Sequence, residues 1–374
     1  MTAVIVAARR TPIGTSGRSL ATRTVDELAA PVLAEVARLV EPAGRAIDDV
    51  ILGNCMGPGG DLARVSALRA GLGHDVPGVT VDRQCGSGLD AVLQAASRVR
   101  AGDARLVLAG GAESASTAPH RSWPDGTRFT RAPFAPAGFP DPDMGPAAEQ
   151  VAALRGIDRG RQDAWAARSH ERAVAARAAG RFDAELVPIG EVTADERPSA
   201  RMTQAVLARF APAFTARDDG SVTAGNSCGF SDGAAAMAVT TPEIARELGL
   251  PALRVRAAAV AASDPALPGL GAAYAASIAL DRAGLAPSAL GAVEITEAFA
   301  AQLLAVSDEL GLDEEAIGAD GGAIALGHPW GASGAVLVVR LAARLLADDD
   351  DRPALAACSI GGGQGVAMIV ERIA

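Results

Sequence analysis

The stretch Val79 to Arg100, VTVDRQCGSGLDAVLQAASRVR, decides how this chain is read. Its β-branched start, Val79-Thr80-Val81, is a strand signal. Asp82-Arg83-Gln84 leads to Cys85, and Gly86-Ser87-Gly88 follows with little or no side chain. Leu89, Val92, Leu93 and Ala96 then recur at helical spacing up to Arg100. The prediction is strand, sharp turn, helix, with a cysteine on the turn. A thiol placed there meets unpaired N–H groups and the positive end of the helix dipole, and both favour a nucleophilic thiolate. The glycines around Ser87 let backbone and substrate approach closely. The plainer alternative is a structural cysteine buried in a tight turn.

At 374 residues the chain exceeds one small core and fits two or three domains. Apolar residues at 49% and charged ones at 21% describe an ordinary globular protein. A net charge of −10, with no basic run, argues against nucleic-acid binding. Lysine is absent, so all 34 basic residues are arginine, a side chain well suited to phosphate. Cys55, Cys85, Cys228 and Cys358 lie too far apart to read as a disulfide framework. The N-terminal apolar run precedes its arginines and carries no cleavage-site pattern, so no signal peptide is expected. Arg340 and Arg344 interrupt the apolar run after Gly334, so no membrane span is expected and a cytoplasmic setting follows.

Val4-Ile5-Val6-Ala7 and Val50-Ile51-Leu52 read as buried strands, and Thr24 with Glu27 as a capping box for a helix to about Val40. Leu106 to Ala109 is a further strand, ending in Gly110-Gly111. This alternation predicts an α/β fold with a mostly parallel sheet. Ala118 to Pro146 is rich in Pro, Gly, Arg and Asp without periodicity, and a long helix from about Arg161 to Ala179 follows, stopped by Gly180. Beyond it Arg181, Arg197, Arg201, Arg209 and Arg217 stand among polar residues. After Pro251 the first half is echoed: Val50 to Asn54 by Ala292 to Thr296, the cysteine turn by Trp330 to Leu337, and Leu106 to Gly111 by Leu355 to Gly362. The chain is therefore divided into a first half, 1–118 (completed by about 230–249), an insertion, 119–229, and a second half, 250–374.

Two other glycine-flanked stretches offer groups that complement Cys85. In Gly327-His328-Pro329 an imidazole stands just before a helix, placed to take a thiol proton or to face a developing oxyanion. Gly361-Gly362-Gly363 can present backbone N–H groups as an oxyanion hole, or can be a tight turn without a ligand. The four histidines are scattered, so no metal site is expected, and no Walker or dinucleotide fingerprint occurs.

Over nearly its whole length the chain resembles the thiolase family. The resemblance rests on Arg10-Thr11-Pro12-Ile13-Gly14, the Cys85-Gly-Ser-Gly turn, Ala109 to Ser114, Thr223-Ala224-Gly225-Asn226, Glu297-Ala298-Phe299-Ala300, Gly327-His328-Pro329 and the triple glycine. It implies a five-layered α-β-α-β-α core of two duplicated halves, and an inserted loop domain that binds coenzyme A. It also implies a homodimer or homotetramer that uses acyl-CoA as substrate and holds no permanent cofactor. Cys85 matches the acyl-carrying nucleophile, His328 its activating base, and the N–H groups of Cys85 and Gly361 an oxyanion hole. Ala224, Cys228, Phe299, Met144 and Arg201 are the candidate coenzyme A contacts, with Arg217 a second candidate for the phosphates.

The chain departs from the family pattern at four points. The second catalytic cysteine, two residues before the triple glycine, is Ser359; Cys358 stands one residue early, where a strand turns its side chain to the other face. The asparagine before Glu-Ala-Phe is Thr296, a serine near the pantetheine is Cys228, and a histidine before Met144 is Asp143. Serine without its own base is poorly matched to taking a proton from an acyl α-carbon. Three functions follow as alternatives. The first is thiolysis or Claisen condensation of short 3-ketoacyl-CoA through acyl-Cys85. The second is acyl transfer to a non-carbon acceptor, or decarboxylative condensation. The third is a non-catalytic coenzyme A-binding or scaffold subunit.

Overall fold

The computed structural model describes residues 1–129, 131–215, 220–348 and 350–373. The first half runs β1 (Val4–Arg10), β2 (Gly14–Thr15), α1 (Val25–Val40), β3 (Asp49–Gly53), α2 (Leu62–Arg69), β4 (Gly78–Val81), α3 (Ser87–Ala101) and β5 (Leu106–Ser114). The lobe holds β6 (Arg121–Ser122), β7 (Arg128–Phe129), α4 (Met144–Arg155), α5 (Arg159–Ala178) and α6 (Gln204–Leu207). The chain then re-enters the sheet through β8 (Ser231–Thr240) and α7 (Pro242–Leu248). The second half is β9 (Ala252–Ala262), α8 (Gly271–Ala283), β10 (Ala292–Ile295), α9 (Ala300–Leu310), α10 (Ala323–Leu326), α11 (Trp330–Ala347), β11 (Ala354–Ile360) and β12 (Gln364–Ile373).

The strands order as β10-β11-β12-β9-β1-β8-β5-β3-β4, with β2 on β8. Only β3 with β4, β3 with β5, and β10 with β11 run parallel among these pairs, so the expected mostly parallel sheet is corrected to a mixed one. The cause is the strand that closes each half. β12 follows β11 through the triple-glycine hairpin, and β8 returns from the lobe between β5 and β1; each is antiparallel to both neighbours. Within each half, parallel strands flank a crossover helix, β3–α3–β5 in the first and β10–α11–β11 in the second. The halves meet where Val4 and Ile5 of β1 pair with Arg254 and Leu253 of β9.

Alternation along the strands divides the apolar side chains among three interiors. Val4, Val6, Val50 and Leu52 pack against Leu28, Val32 and Val36 of α1. Ile5, Ile51, Ala356 and Cys358 pack inward against Leu89 and Val92 of α3 and Val338 and Leu341 of α11. Leu355, Ala357 and Ile369 pack outward against Ala272 and Ala276 of α8 and Leu303 of α9. Helix, sheet, paired helices, sheet, helix are the five layers. By length and composition α11 could cross a membrane, contrary to the reading of Arg340 and Arg344 as interruptions, yet it is the core helix of the middle layer.

Local signals hold where their chemistry is local. The Thr24 N–H donates to Glu27 Oε2 at 3.0 Å, opening α1 one residue later. Asp158 caps α5 by accepting the Arg161 N–H at 2.8 Å. Inside the stretch read as irregular, α4 starts at Met144, because Pro146 falls in the first turn, where a missing N–H costs nothing.

The middle layer is thin because its helices cross on bare backbone. A Cβ added at Gly88 of α3 would lie 2.8 Å from the Gly331 oxygen and 2.9 Å from the Ala335 nitrogen of α11. Gly88→Ala is therefore expected to destabilise the fold by about 1–3 kcal/mol through overpacking, read as a lower urea midpoint at unchanged slope.

Candidate active site

Cys85 stands between β4 and α3, on the turn the sequence predicts. Gln84, just before it, is held at φ +46°, a conformation that non-glycine residues seldom adopt. Ser87 fixes the turn by accepting the Arg83 N–H at 2.8 Å and donating to the Gln84 carbonyl at 2.6 Å. Arg83 then pairs with Asp90 at 3.2 Å and donates to Gln364 at 3.2 Å, tying the turn to α3 and to β12. Gly86 lies so close to Ile360 and Val366 that a Cβ would collide with both. The turn thus rests on the β11–β12 hairpin of the other half.

The electrostatics differ from the expectation of a thiolate at rest. Burial pushes the Cys85 thiol well above its usual range, and the neighbouring Cys358 and Cys228 thiols add to the shift. Its own backbone N–H lowers it, and by less. Loss of water around a sulfur anion outweighs one helix dipole, whose pull is about 0.3–1 kcal/mol at an ordinary site. Cys85 is therefore a thiol until a base takes its proton.

The candidate base is His328. It lies before α11, its N–H donating to Ser231 Oγ at 3.1 Å, and α11 begins beside α3. Its Nδ1 lies 2.6 Å from Ser333 Oγ, and the Ser333 hydroxyl donates its one hydrogen to the Pro329 carbonyl at 3.0 Å. Ser333 Oγ must then accept from Nδ1–H, so the free lone pair is on Nε2, which is buried and makes no hydrogen bond. Burial lowers the His328 pKa to about 4, so the ring is neutral and able to accept. The sequence signal for Ser333 is its spacing, one helical turn beyond Pro329, and sequence reading passed over it.

The β11–β12 hairpin revises the candidates in its own half. The Ser359 hydroxyl donates to the Gly269 carbonyl at 2.7 Å and accepts from the Ala272 N–H at 3.1 Å, on the α8 face of β11. Cys358 takes the opposite face, packed in the middle layer with α3, and it is the neighbouring thiol that most raises Cys85. Thr296 Oγ1 lies 3.1 Å from Cys358 Sγ. The cysteine displaced by one residue and the threonine in place of asparagine are thus partners. Burial pushes the Cys358 thiol up to about 12, and the hydrogen bond from Thr296 pulls it back. Gly361 is covered by Phe134 of the lobe, whose Cε2 would be 2.6 Å from an added Cβ.

The motif carboxylates build the scaffold. Glu113 accepts from Asn54 Nδ2 and from the N–H groups of Cys55, Met56 and Gly331, joining β3 and β5 to the start of α11. Glu297 accepts from Trp165 Nε1, Ser169 Oγ and the Ile324 N–H, fastening α5 to the second half.

Four of the five candidate coenzyme A contacts converge. The Cys228 N–H donates to the Ala298 carbonyl at 3.0 Å, and Phe299 meets Phe214 edge-on at 5.7 Å. Phe214 covers Gly145 beside Met144, and exposed Ala224 lies on the loop that bridges to Phe299 through Ser227. Arg201 is exposed and makes no ion pair among the described residues. Arg217 lies outside the described residues. Among the described residues no cluster of metal-ligating side chains occurs.

Two α/β halves that share a layer of paired helices, with a cysteine turn opening one helix and a histidine turn the other, define the class. The models of the thiolase N-terminal domain and the thiolase C-terminal domain match residues 3–243 and 250–372. The chain belongs to the thiolase family. It is 43% identical to a putative acetyl-CoA C-acetyltransferase of Bacillus subtilis over the full length of both chains. It is also 43% identical to an acetyl-CoA acetyltransferase of Pseudomonas aeruginosa, over 99% of both. The crystal structure of the acetyl-CoA acetyltransferase of Bacillus anthracis superposes with a TM-score of 0.92 at 38% identity, covering 100% of this chain and 99% of that one.

Burying a neutral imidazole makes stability depend on pH. The folded pKa of His328, about 4, lies below the ordinary 6.5, so between these values the unfolded chain binds the proton. The contribution is present above pH 6.5 and is lost as pH falls toward 4, roughly 3 kcal/mol in all. Urea unfolding of His328→Asn should show a shallower loss of stability than wild type between pH 7 and 4.5; parallel curves would refute it.

Proposed function

We propose that this thiolase-family acyltransferase is an acetyl-CoA acetyltransferase. In this reading Cys85 carries the acyl group, His328 is its base, and Cys358, supported by Thr296, is the second acid/base. The observation that carries the reading is a neutral His328 ring with an unpartnered Nε2, at the start of the helix that crosses the one opened by the Cys85 turn. His328 takes the Cys85 proton as sulfur attacks the thioester carbonyl of acyl-CoA. Backbone N–H groups of Cys85 and Gly361 face the oxyanion. The departing coenzyme A thiolate takes the Cys358 proton. The Cys358 thiolate then removes an α-proton from a second acetyl-CoA, and the carbanion attacks acyl-Cys85. Cys85 leaves and recovers its proton from His328, which balances the cycle.

Cys358 changes the weight of the alternatives. Transfer to a non-carbon acceptor and decarboxylative condensation were reasons to dispense with a second base, and a thiol on the Cys85 side of β11 removes the need. A scaffold subunit has no use for an unpartnered imidazole and a cysteine turn at the starts of two crossing helices. The convergence of Cys228, Phe299, Met144 and Ala224 supports a pantetheine path there, with the lobe 119–229 as the coenzyme A-binding part.

Intact-protein mass after mixing with acetyl-CoA should show one acetyl group on wild type and none on Cys85→Ala. A labelled Cys85→Ala, or an unlabelled wild type, would sink the reading. Cys358→Ala should retain that label while thiolysis of acetoacetyl-CoA falls by about 10²–10⁴, the usual worth of a positioned acid/base, and Ser359→Ala should stay within a few fold. The reverse ranking would return the role to Ser359. Arg201→Glu should raise the KM for coenzyme A by about two- to fivefold, the size of an exposed charge contact of roughly 0.5–1 kcal/mol; an unchanged KM would remove Arg201 from the phosphate site.

A further inference from the structure

Ser333, the partner of His328 Nδ1, also borders a small cavity of about 20 Å³, with Glu294, Thr296, Pro329 and Arg340. A single water needs roughly 10–15 Å³ of such space and two to four polar partners. Glu294 is 3% exposed, and among the described residues neither of its carboxyl oxygens has a hydrogen-bond partner. Arg340 gives its two terminal nitrogens to Glu185 and Asp320, leaving Nε buried and without a partner. An orphaned acceptor, an orphaned donor and the hydroxyl that holds His328 therefore share one small space.

We propose that Ser333, one water held in this cavity and Glu294 form a path from Nδ1–H of His328, the Ser333 hydroxyl turning from the Pro329 carbonyl to that water, through which the Glu294 carboxylate stabilises the imidazolium. Only one proton moves. The Cys85 S–H bond breaks, the His328 Nε2–H bond forms, and Glu294 neither gains nor loses a proton in that step. Glu294 is thus a positioning residue that acts through His328, placed where an imidazolium would otherwise face its buried site uncompensated. The groups facing it are Arg340 and Arg344 of α11, Asp320 before α10, and Glu297 just after β10. Burial raises the Glu294 pKa to about 8, so the compensating charge is present above that pH and absent well below it.

The inference rests on His328 being the base of Cys85, and the test separates the two. Alkylation of Cys85 by iodoacetamide, followed by intact mass from pH 6 to 9, needs no acyl-CoA. An unchanged rate in His328→Ala would fail the base itself. With the base upheld, wild type should show a rise centred near pH 8 that Glu294→Gln lacks. The variant should match wild type at pH 6 and fall about tenfold below it at pH 9, the effect of one pKa unit. Ser333→Ala, which keeps the helix and cuts the path, should lose the same rise, and it decides the matter should Glu294→Gln not fold. A Glu294→Gln profile parallel to wild type, whether equal or uniformly lower, or a Ser333→Ala profile that keeps the rise, would overturn the proposal.

Discussion

The contact on which the rest depends is the crossing of α3 and α11 on exposed backbone. Gly53, Gly88, Gly111, Gly331 and Gly334 leave no side chain between the two helices or between them and β3 and β5. Close-packed interiors transmit such dimensions directly. A wider crossing would carry the Cys85 turn and the His328 turn apart, because each stands at the start of one of these helices. Glu113 locks the arrangement by accepting N–H groups from the loop after β3 and from Gly331 at once.

The lobe is fixed by charge. Arg10 of β1, fully buried, pairs with Glu185 and Asp195, and Arg340 of α11 pairs with Glu185 and Asp320. Phe182 stacks beside both guanidinium groups, at 5.4 and 4.4 Å from its ring centre. Each charge in this buried network has a bonded opposite, the condition under which buried ions are tolerated, and losing one partner would strand the rest. A segment remote in sequence is thereby fixed to both halves.

Within the site the governing quantity is desolvation. It raises the Cys85 and Cys358 thiols and lowers His328, so the three groups are all neutral at rest. Charge then arises only when a proton moves from one to another. Fixed dipoles placed around that event are worth more in a dry site than in water.

Sequence alone settled whatever depends on neighbours along the chain. It placed the cysteine turn, the capping box at Thr24, the end of the long helix at Gly180, the repeat of one half in the other and the family motifs. Those features depend on local hydrogen bonds, positive φ and side-chain periodicity, which a few consecutive residues determine. Strand direction escaped it, since β8 and β12 are defined by partners brought from elsewhere. So did the ionisation of Cys85, because burial is a property of the packed whole. Tertiary structure also separated Ser359 from Cys358: alternation along a strand puts them on opposite faces, and only the sheet's place between two helix layers says which lies toward α3 and which toward α8.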